Sequence, residues 1–229
     1  MNKILKYLAY VSLCIFFCND FLSAQENISA NDNTETENSS PVQEFAKYSI
    51  GERLFGGITY PGGTLSGYET PERKLSYNYG IAVTFEYRFN AFHSFTSDLA
   101  LSRKDYYIRK SIAGDMADIH YRFDFIDIHS GYRFNYNSFF AGIGFFAGYS
   151  VYGLMYTEVD SLAIGEIDKS AYGINAGMFI ETGYRFILNG TFDFVTGINY
   201  DLGFTSYYSD EDELMTNSGS VFAELVYKL

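Results

Sequence analysis

From Leu75 to Phe89 the chain alternates without a break. Leu75, Tyr77, Tyr79, Ile81, Val83, Phe85, Tyr87 and Phe89 are large and apolar, while Ser76, Asn78, Gly80, Ala82, Thr84, Glu86 and Arg88 between them are small, polar or charged. Successive side chains of a strand point to opposite faces, so this pattern predicts one strand with an aromatic face and a polar face. Fifteen residues at roughly 3.3 Å each extend about 50 Å, against a usual strand of about 5–6 residues. A strand that long calls for an unusual environment.

The pattern recurs to give eight strands. The first, near 46–60, sets Tyr48, Ile50, Leu54, Ile58 and Tyr60 on one face, with Glu52 breaking the series. The second is 75–89. The third begins near Ser94, carries Phe95, Leu99 and Leu101, and turns polar after Arg103. The fourth runs Ile119, Tyr121, Phe123, Phe125 and then shifts to Ile126, Ile128, Tyr132, Phe134, which predicts a β-bulge within it. The fifth (138–156), sixth (172–186) and seventh (192–204) follow, and the eighth ends at Leu229.

The connections alternate in length. Asn90 to His93, Asn135 to Asn137 and the pair Asn189-Gly190 read as short turns, with Asn-Gly suited to positive φ. Longer polar loops fall near 61–73, 110–118, 157–169 and 207–219. The three prolines, at 41, 61 and 71, read as lying outside the strands. Short turns on one side and long loops on the other predict an all-β, eight-stranded antiparallel up-and-down transmembrane β-barrel, with turns and termini in the periplasm.

Alternation does not by itself say which face points out, since a lipocalin is an eight-stranded barrel with an apolar interior. Volume decides. Eight strands enclose only enough room for their own side chains, and the bulky series, drawn from 22 Tyr and 22 Phe, is too large to fit. The aromatic face therefore points outward, and lipid is the solvent that accepts it. Phe89, Phe92, Phe95, Phe134, Tyr136, Phe139, Phe186 and Phe192 mark an inner girdle, and Tyr60, Tyr77, Tyr121, Tyr172 and Tyr207 an outer one.

Composition agrees with this picture. A formal charge of −12 argues against nucleic acid as a partner. Residues 1–24 read as a signal peptide, with Lys3 and Lys6, an apolar run from Tyr7 to Phe17, and Leu22-Ser23-Ala24 before the cut. Phe17 before Cys18 speaks against a lipoprotein. Removal of the signal leaves no cysteine, hence no thiol chemistry. Residues 25–44 are polar and acidic and read as a disordered periplasmic linker, and 45–229 as the barrel, located in the outer membrane.

The stretch Phe125-Ile126-Asp127-Ile128, then Gly131-Tyr132-Arg133-Phe134, a short turn and Phe139-Phe140-Ala141-Gly142-Ile143-Gly144 resembles the small bacterial outer-membrane β-barrel domain family of OmpA/OmpX-like architecture. The C-terminal strand, with Val221, Ala223, Leu225 and Tyr227, is similar to the signal read by the barrel-assembly machinery, although the family usually ends in Phe and this chain ends in Leu229. The resemblance implies outer-membrane lipid and the assembly machinery as partners and a fold, not an activity.

The inward face reads as Glu86, Arg88, Asp98, His120, Arg122, Asp124, Asp127, His129, Arg133, Glu181, Arg185, Asp193, Asp201, Glu224 and Lys228. Buried charges of both signs predict an ion-pair network plugging the lumen, centred on Glu86, Arg88, Arg122, Asp124, Glu181, Arg185, Asp193 and Glu224. The alternative is a narrow path for ions or small solutes. A lipid-modifying enzyme, the second alternative, needs Ser and His on the outer face. His129 and Ser130 are adjacent and so point oppositely. His93 reads as a turn residue, and His120 as inward. No catalytic residue, cofactor or metal is expected. Asp210-Glu211-Asp212-Glu213 reads as a solvated loop tip, and the acidic loops (Glu158, Asp160, Glu166, Asp168 among them) as a surface for an extracellular ligand. The expected species is a monomer with a structural or adhesin-like role.

Overall fold

The structure is a computed structural model in which residues 46–63, 72–112, 115–157, 163–209 and 213–229 are described. The expected signal peptide and linker, and Asp210, Glu211, Asp212, Glu158 and Asp160, lie outside the described residues.

Eight long strands close into a ring: β1 (Tyr48–Gly62), β3 (Ser76–Arg88), β4 (His93–Ile112), β5 (Asp115–Tyr136), β6 (Phe139–Thr157), β8 (Ile174–Ile187), β9 (Phe192–Gly203) and β11 (Glu213–Lys228). Each pairs antiparallel with the next, and β11 pairs with β1 to close the barrel. Closure gives every strand two partners, as hydrocarbon demands of a backbone that water cannot solvate. Three short strands, β2 (Glu72–Lys74), β7 (Ala163–Glu166) and β10 (Tyr208–Ser209), extend the wall beside β4, β6 and β11.

Along the lower part of the barrel the alternation is as the sequence predicts. Leu54, Ile58, Tyr77, Tyr79, Leu99, Ile128, Ile143, Phe145, Ile180, Ile198 and Val221 are exposed on the outside. Inward positions of the same strands are polar side chains and glycines, interleaved with buried Phe140, Phe146, Phe179, Val195, Phe222 and Val226. Several glycines lie directly under a phenylalanine of a neighbouring strand. A Cβ at Gly144 would fall 2.6 Å from the Phe179 ring, at Gly183 2.5 Å from Phe140, at Gly197 2.8 Å from Phe222 and at Gly80 2.4 Å from Phe55. The inner face thus mixes glycine and aromatic residues so that rings lie flat across strands.

The turns differ from expectation in one respect. Asn90 Oδ1 accepts hydrogen bonds from the backbone N–H of Phe92 (2.8 Å) and His93 (3.0 Å), and Asn189 Oδ1 does the same for Thr191 (2.8 Å) and Phe192 (2.7 Å). Among the described residues positive φ occurs only at Asn137, Gly63 and Gly165. Asn189-Gly190 therefore turns the chain with the asparagine side chain and not with a left-handed pair.

Three sequence expectations are corrected. The regions near 110–118 and 207–219 are largely strand, since β4 and β5 pair as far as Ile112↔Asp115 and β11 begins at Glu213. Pro61 lies within β1, beyond Thr59↔Ser76 where pairing with β3 stops, so its missing N–H costs no ladder bond on that side. The fourth strand, β5, does not change phase: Phe123, Phe125, Asp127 and Arg133 are all inward and buried. The register shift at Asp124/Phe125 arises on β6, where Ser150 pairs with Phe125 and Tyr152 with Asp124, leaving Val151 as the extra residue.

Candidate functional site: a charged lumen under an aromatic cap

Charged side chains rise through the lower lumen as a ladder of three ion-paired groups, one above another. At the turn end Lys228 Nζ lies 2.9 Å from Asp193, whose other oxygen is 3.3 Å from Arg185 Nη1. Arg185 also pairs with Glu86, and Arg88 Nε lies 3.4 Å from Glu86. One level higher, Arg133 donates from Nε and Nη2 to Glu181 at 2.9 and 2.7 Å. Arg53 donates from Nε and Nη2 to Glu224 at 3.1 and 3.0 Å and reaches Asp98 at 3.3 Å. His129 then bridges two carboxylates, with Nδ1 3.0 Å from Asp98 and Nε2 3.5 Å from Asp201. At the top Lys104 Nζ stands 3.2 Å from Asp127, which also accepts from Ser102 at 2.6 Å.

Aromatic rings support the cations. The Arg53 guanidinium lies 4.3 Å from the Phe222 centroid, Arg133 4.2 Å from Phe140, and Lys104 Nζ 4.9 Å from Phe125. Flat guanidinium groups tolerate burial against ring faces better than an ammonium does. An opening in the ladder, lined by Arg53, Asp98, His129, Arg133, Glu181 and Glu224 among others, has a volume of about 20 Å3. That is room for about one water molecule.

Above Lys104 the interior changes character. Tyr106, Ile108, Ile119, Tyr121, Phe123, Phe125, Tyr207 and Leu214 form a buried cluster, with Met155, Ile167, Ala171 and Tyr172 against it. Tyr207 is its hub, with ring centroids 5.3 Å from Tyr106, 5.2 Å from Phe123 and 5.1 Å from Phe125. Tyr121, Tyr172 and Tyr207 are therefore part of a cap, not of an outer girdle. Tyr60 and Tyr77 are outward and exposed, as a girdle requires.

Outside the cap the charges reappear. Arg103 donates to Asp124 from Nε at 2.6 Å and Nη2 at 2.8 Å, and Arg122 to Asp105 at 2.9 and 3.0 Å. Above these pairs Tyr107, His120 and Tyr156 stack in register across β4, β5 and β6, with centroids 4.3 and 4.8 Å apart. Lys74 Nζ donates to Tyr107 Oη at 3.1 Å. That bond raises the Lys74 ammonium above its ordinary pKa, and a bond to Asp118 raises the Tyr107 phenol.

Six of the eight residues at the centre of the expected network, Glu86, Arg88, Glu181, Arg185, Asp193 and Glu224, meet inside. Arg122 and Asp124 do not. They stand on the outer wall with His120, because above the membrane water lies outside and the apolar residues of β5 turn inward. Arg53 and Lys104 were missed, although both fall on the inward parity of their strands. His129 points inward and its neighbour Ser130 outward, where Ser130 meets Ser97 at 2.9 Å. Among the described residues no group of three or more His, Cys, Asp or Glu is placed to hold a metal.

No protein-family model and no curated protein sequence matches the chain. Solved structures with similar shape include the outer membrane protein OprG from Pseudomonas aeruginosa, at 13% identity and TM-score 0.48 over 81% of this chain and 97% of that one. Ail, the attachment invasion locus protein of Yersinia pestis, solved with the heparin analogue sucrose octasulfate, matches at 13% identity and TM-score 0.42 over 79% of this chain and 97% of that one. Neisserial surface protein A matches at 13% identity and TM-score 0.42 over 80% and 98%. By its own strand order, its closure and its lipid-facing belt, the chain is a small eight-stranded outer-membrane β-barrel.

Proposed function

We propose that the protein is a closed, non-catalytic platform in the outer membrane, holding its membrane-distal wall and loops toward the cell exterior for contact with a surface ligand. The observation that carries this reading is the double closure of the lumen. A charge ladder runs from Lys228 to Asp127, and a cap from Tyr106 to Leu214 lies over it. A permeation path would have to break paired charges and then displace packed rings. The opposite directions of His129 and Ser130 support a role without lipid hydrolysis. The exposed carboxylates Glu166, Asp168 and Glu213 and the wall residues Arg103, Asp105, Arg109 and Arg122 are the described surface open to a ligand. Val221, Ala223, Leu225 and Tyr227, on the outward parity of β11, support delivery by the barrel-assembly machinery. Purified protein in planar bilayers tests the reading: no steady single-channel currents are expected, and large, steady openings would overturn it in favour of a small-solute channel.

A further inference from the structure

The lipid-facing belt carries a carboxylate. Glu52 is exposed on the outer face of β1 between Ile50 and Leu54, and its cross-strand neighbours are Leu225 on β11 and Val83 on β3. It lies four residues from Tyr48 in the inner aromatic ring, which on a tilted strand places it roughly 10 Å into the hydrocarbon. Three polar side chains elsewhere on the belt are satisfied within the barrel. Ser97 donates to the His129 carbonyl at 3.2 Å, Thr182 to Phe140 at 2.8 Å and Thr196 to Phe222 at 2.9 Å. Among the described residues Glu52 has no such partner.

A second feature of the same two strands is independent of the first. Gly56 on β1 and Gly219 on β11 also face outward. A Cβ at Gly56 would come no closer than 3.7 Å to a neighbouring atom, and one at Gly219 no closer than 3.9 Å. Inward glycines differ: Cβ atoms at Gly51, Gly57, Gly177 and Gly197 would meet neighbours at 2.6, 1.9, 2.0 and 2.4 Å. The barrel's own packing therefore requires glycine inside but not at 56 or 219. Glycine weakens a strand and marks places where another backbone comes close. Ala223 beside Leu54, Gly56 beside Val221 and Gly219 beside Ile58 form a zigzag of small residues that leads from Glu52 toward the outer rim.

We propose that this face of β1 and β11 is a lateral interface on which a second copy of the chain packs within the membrane, the two Glu52 carboxyl groups meeting across a twofold axis. Lys47, at the start of the same strand, is held over the Tyr48 and Tyr87 rings of the girdle, and among the described residues no cation pairs with Glu52. A carboxyl group is, however, complementary to itself. Two facing carboxyls each donate one hydrogen bond and accept one, which suits an isologous contact. Small residues let backbones approach, and a polar group in hydrocarbon is best satisfied by a partner chain. The expectation of a monomer gives way at this face. The closed-lumen reading is untouched, because the interface lies on the opposite side of the wall from the ladder.

The test uses full-length chain expressed in outer membranes and then placed in lipid bilayers, with each variant's fold checked by heat-modifiability. Glu52→Cys should form disulfide-linked dimers on mild oxidation, while Phe145→Cys on β6 should not, and the unsubstituted chain reports any link through Cys14 or Cys18. Subunit counting by photobleaching should find two copies. Glu52→Leu and Gly219→Val should each lower the dimer fraction about tenfold, and Glu52→Gln, whose amides also pair, should retain it. Single copies at every protein-to-lipid ratio would overturn the proposal. So would dimers that survive the combined Glu52→Leu and Gly219→Val changes, equal linking at Phe145→Cys, or linking of Glu52→Cys only to a different protein.

Discussion

Asp127 and Phe125 both point into the barrel from β5, two residues apart, and both are buried. Below this level the interior holds ion-paired charges between buried rings, and the exterior is apolar. Above it the interior is apolar and the exterior charged. On β4 the inside switches between Lys104 and Tyr106, and the outside between Leu101 and Arg103. On β5 the inside switches between Asp127 and Phe125, and the outside between Ile126 and Asp124. The outer switch lies in register on the two strands, Leu101 opposite Ile126 and Arg103 opposite Asp124, while the inner one is staggered, with Lys104 opposite Phe123. One continuous sheet thus passes from a membrane barrel to a water-soluble one, and the solvent outside decides which face holds the core.

The comparison breaks most readily at its charged half. Arg53→Ala leaves buried Glu224 without an ion-pair partner among the described residues and takes one of two cations from Glu181 and Asp98, which keep Arg133 and His129. Leaving buried charge uncompensated costs about 3–5 kcal/mol, so unfolding in urea from lipid vesicles should shift to markedly lower denaturant. In the upper half Phe123→Ala empties the centre of the cap, with an expected loss of about 3 kcal/mol. Proteolysis of the membrane-distal loops should then accelerate while the lower barrel remains protected. Arg122→Ala removes an ion pair of similar geometry on the outer wall, yet it should cost less than about 1 kcal/mol in the same denaturant titration, because water replaces the partner. The smallest effect is that of salt. Going from about 0.1 to 1 M shortens the screening length from about 10 to 3 Å. Such salt should abolish what little Arg122→Ala costs and leave the cost of Arg53→Ala unchanged.

Much of the lower barrel is legible in the chain because lipid imposes one rule along its whole height. Glu86, Glu181, Arg185, Asp193 and Glu224 follow from parity alone. The upper barrel is where pattern reading goes astray. The apolar run Ile119, Tyr121, Phe123, Phe125 looks like a continuation of the lipid face out of phase by one residue. Parity had not changed; the surroundings had. The extra residue that accommodates the geometry, Val151, sits on the neighbouring strand, where Ser150 and Tyr152 give no local sign of it. Arg53 was masked by Glu52 beside it, which disturbed the alternation of β1. Which cation meets which carboxylate depends on the stagger between strands, and no single strand carries that information.

The level of the inversion is open to direct measurement by single-cysteine labelling along β5 in intact bilayers with a water-soluble maleimide. Cysteine in place of His120, Arg122 or Asp124 should label rapidly, and in place of Ile126, Ile128, Phe123 or Phe125 should not. Labelling that continues through Ile126 and Ile128, or that alternates to Phe123 and Phe125, would contradict the account.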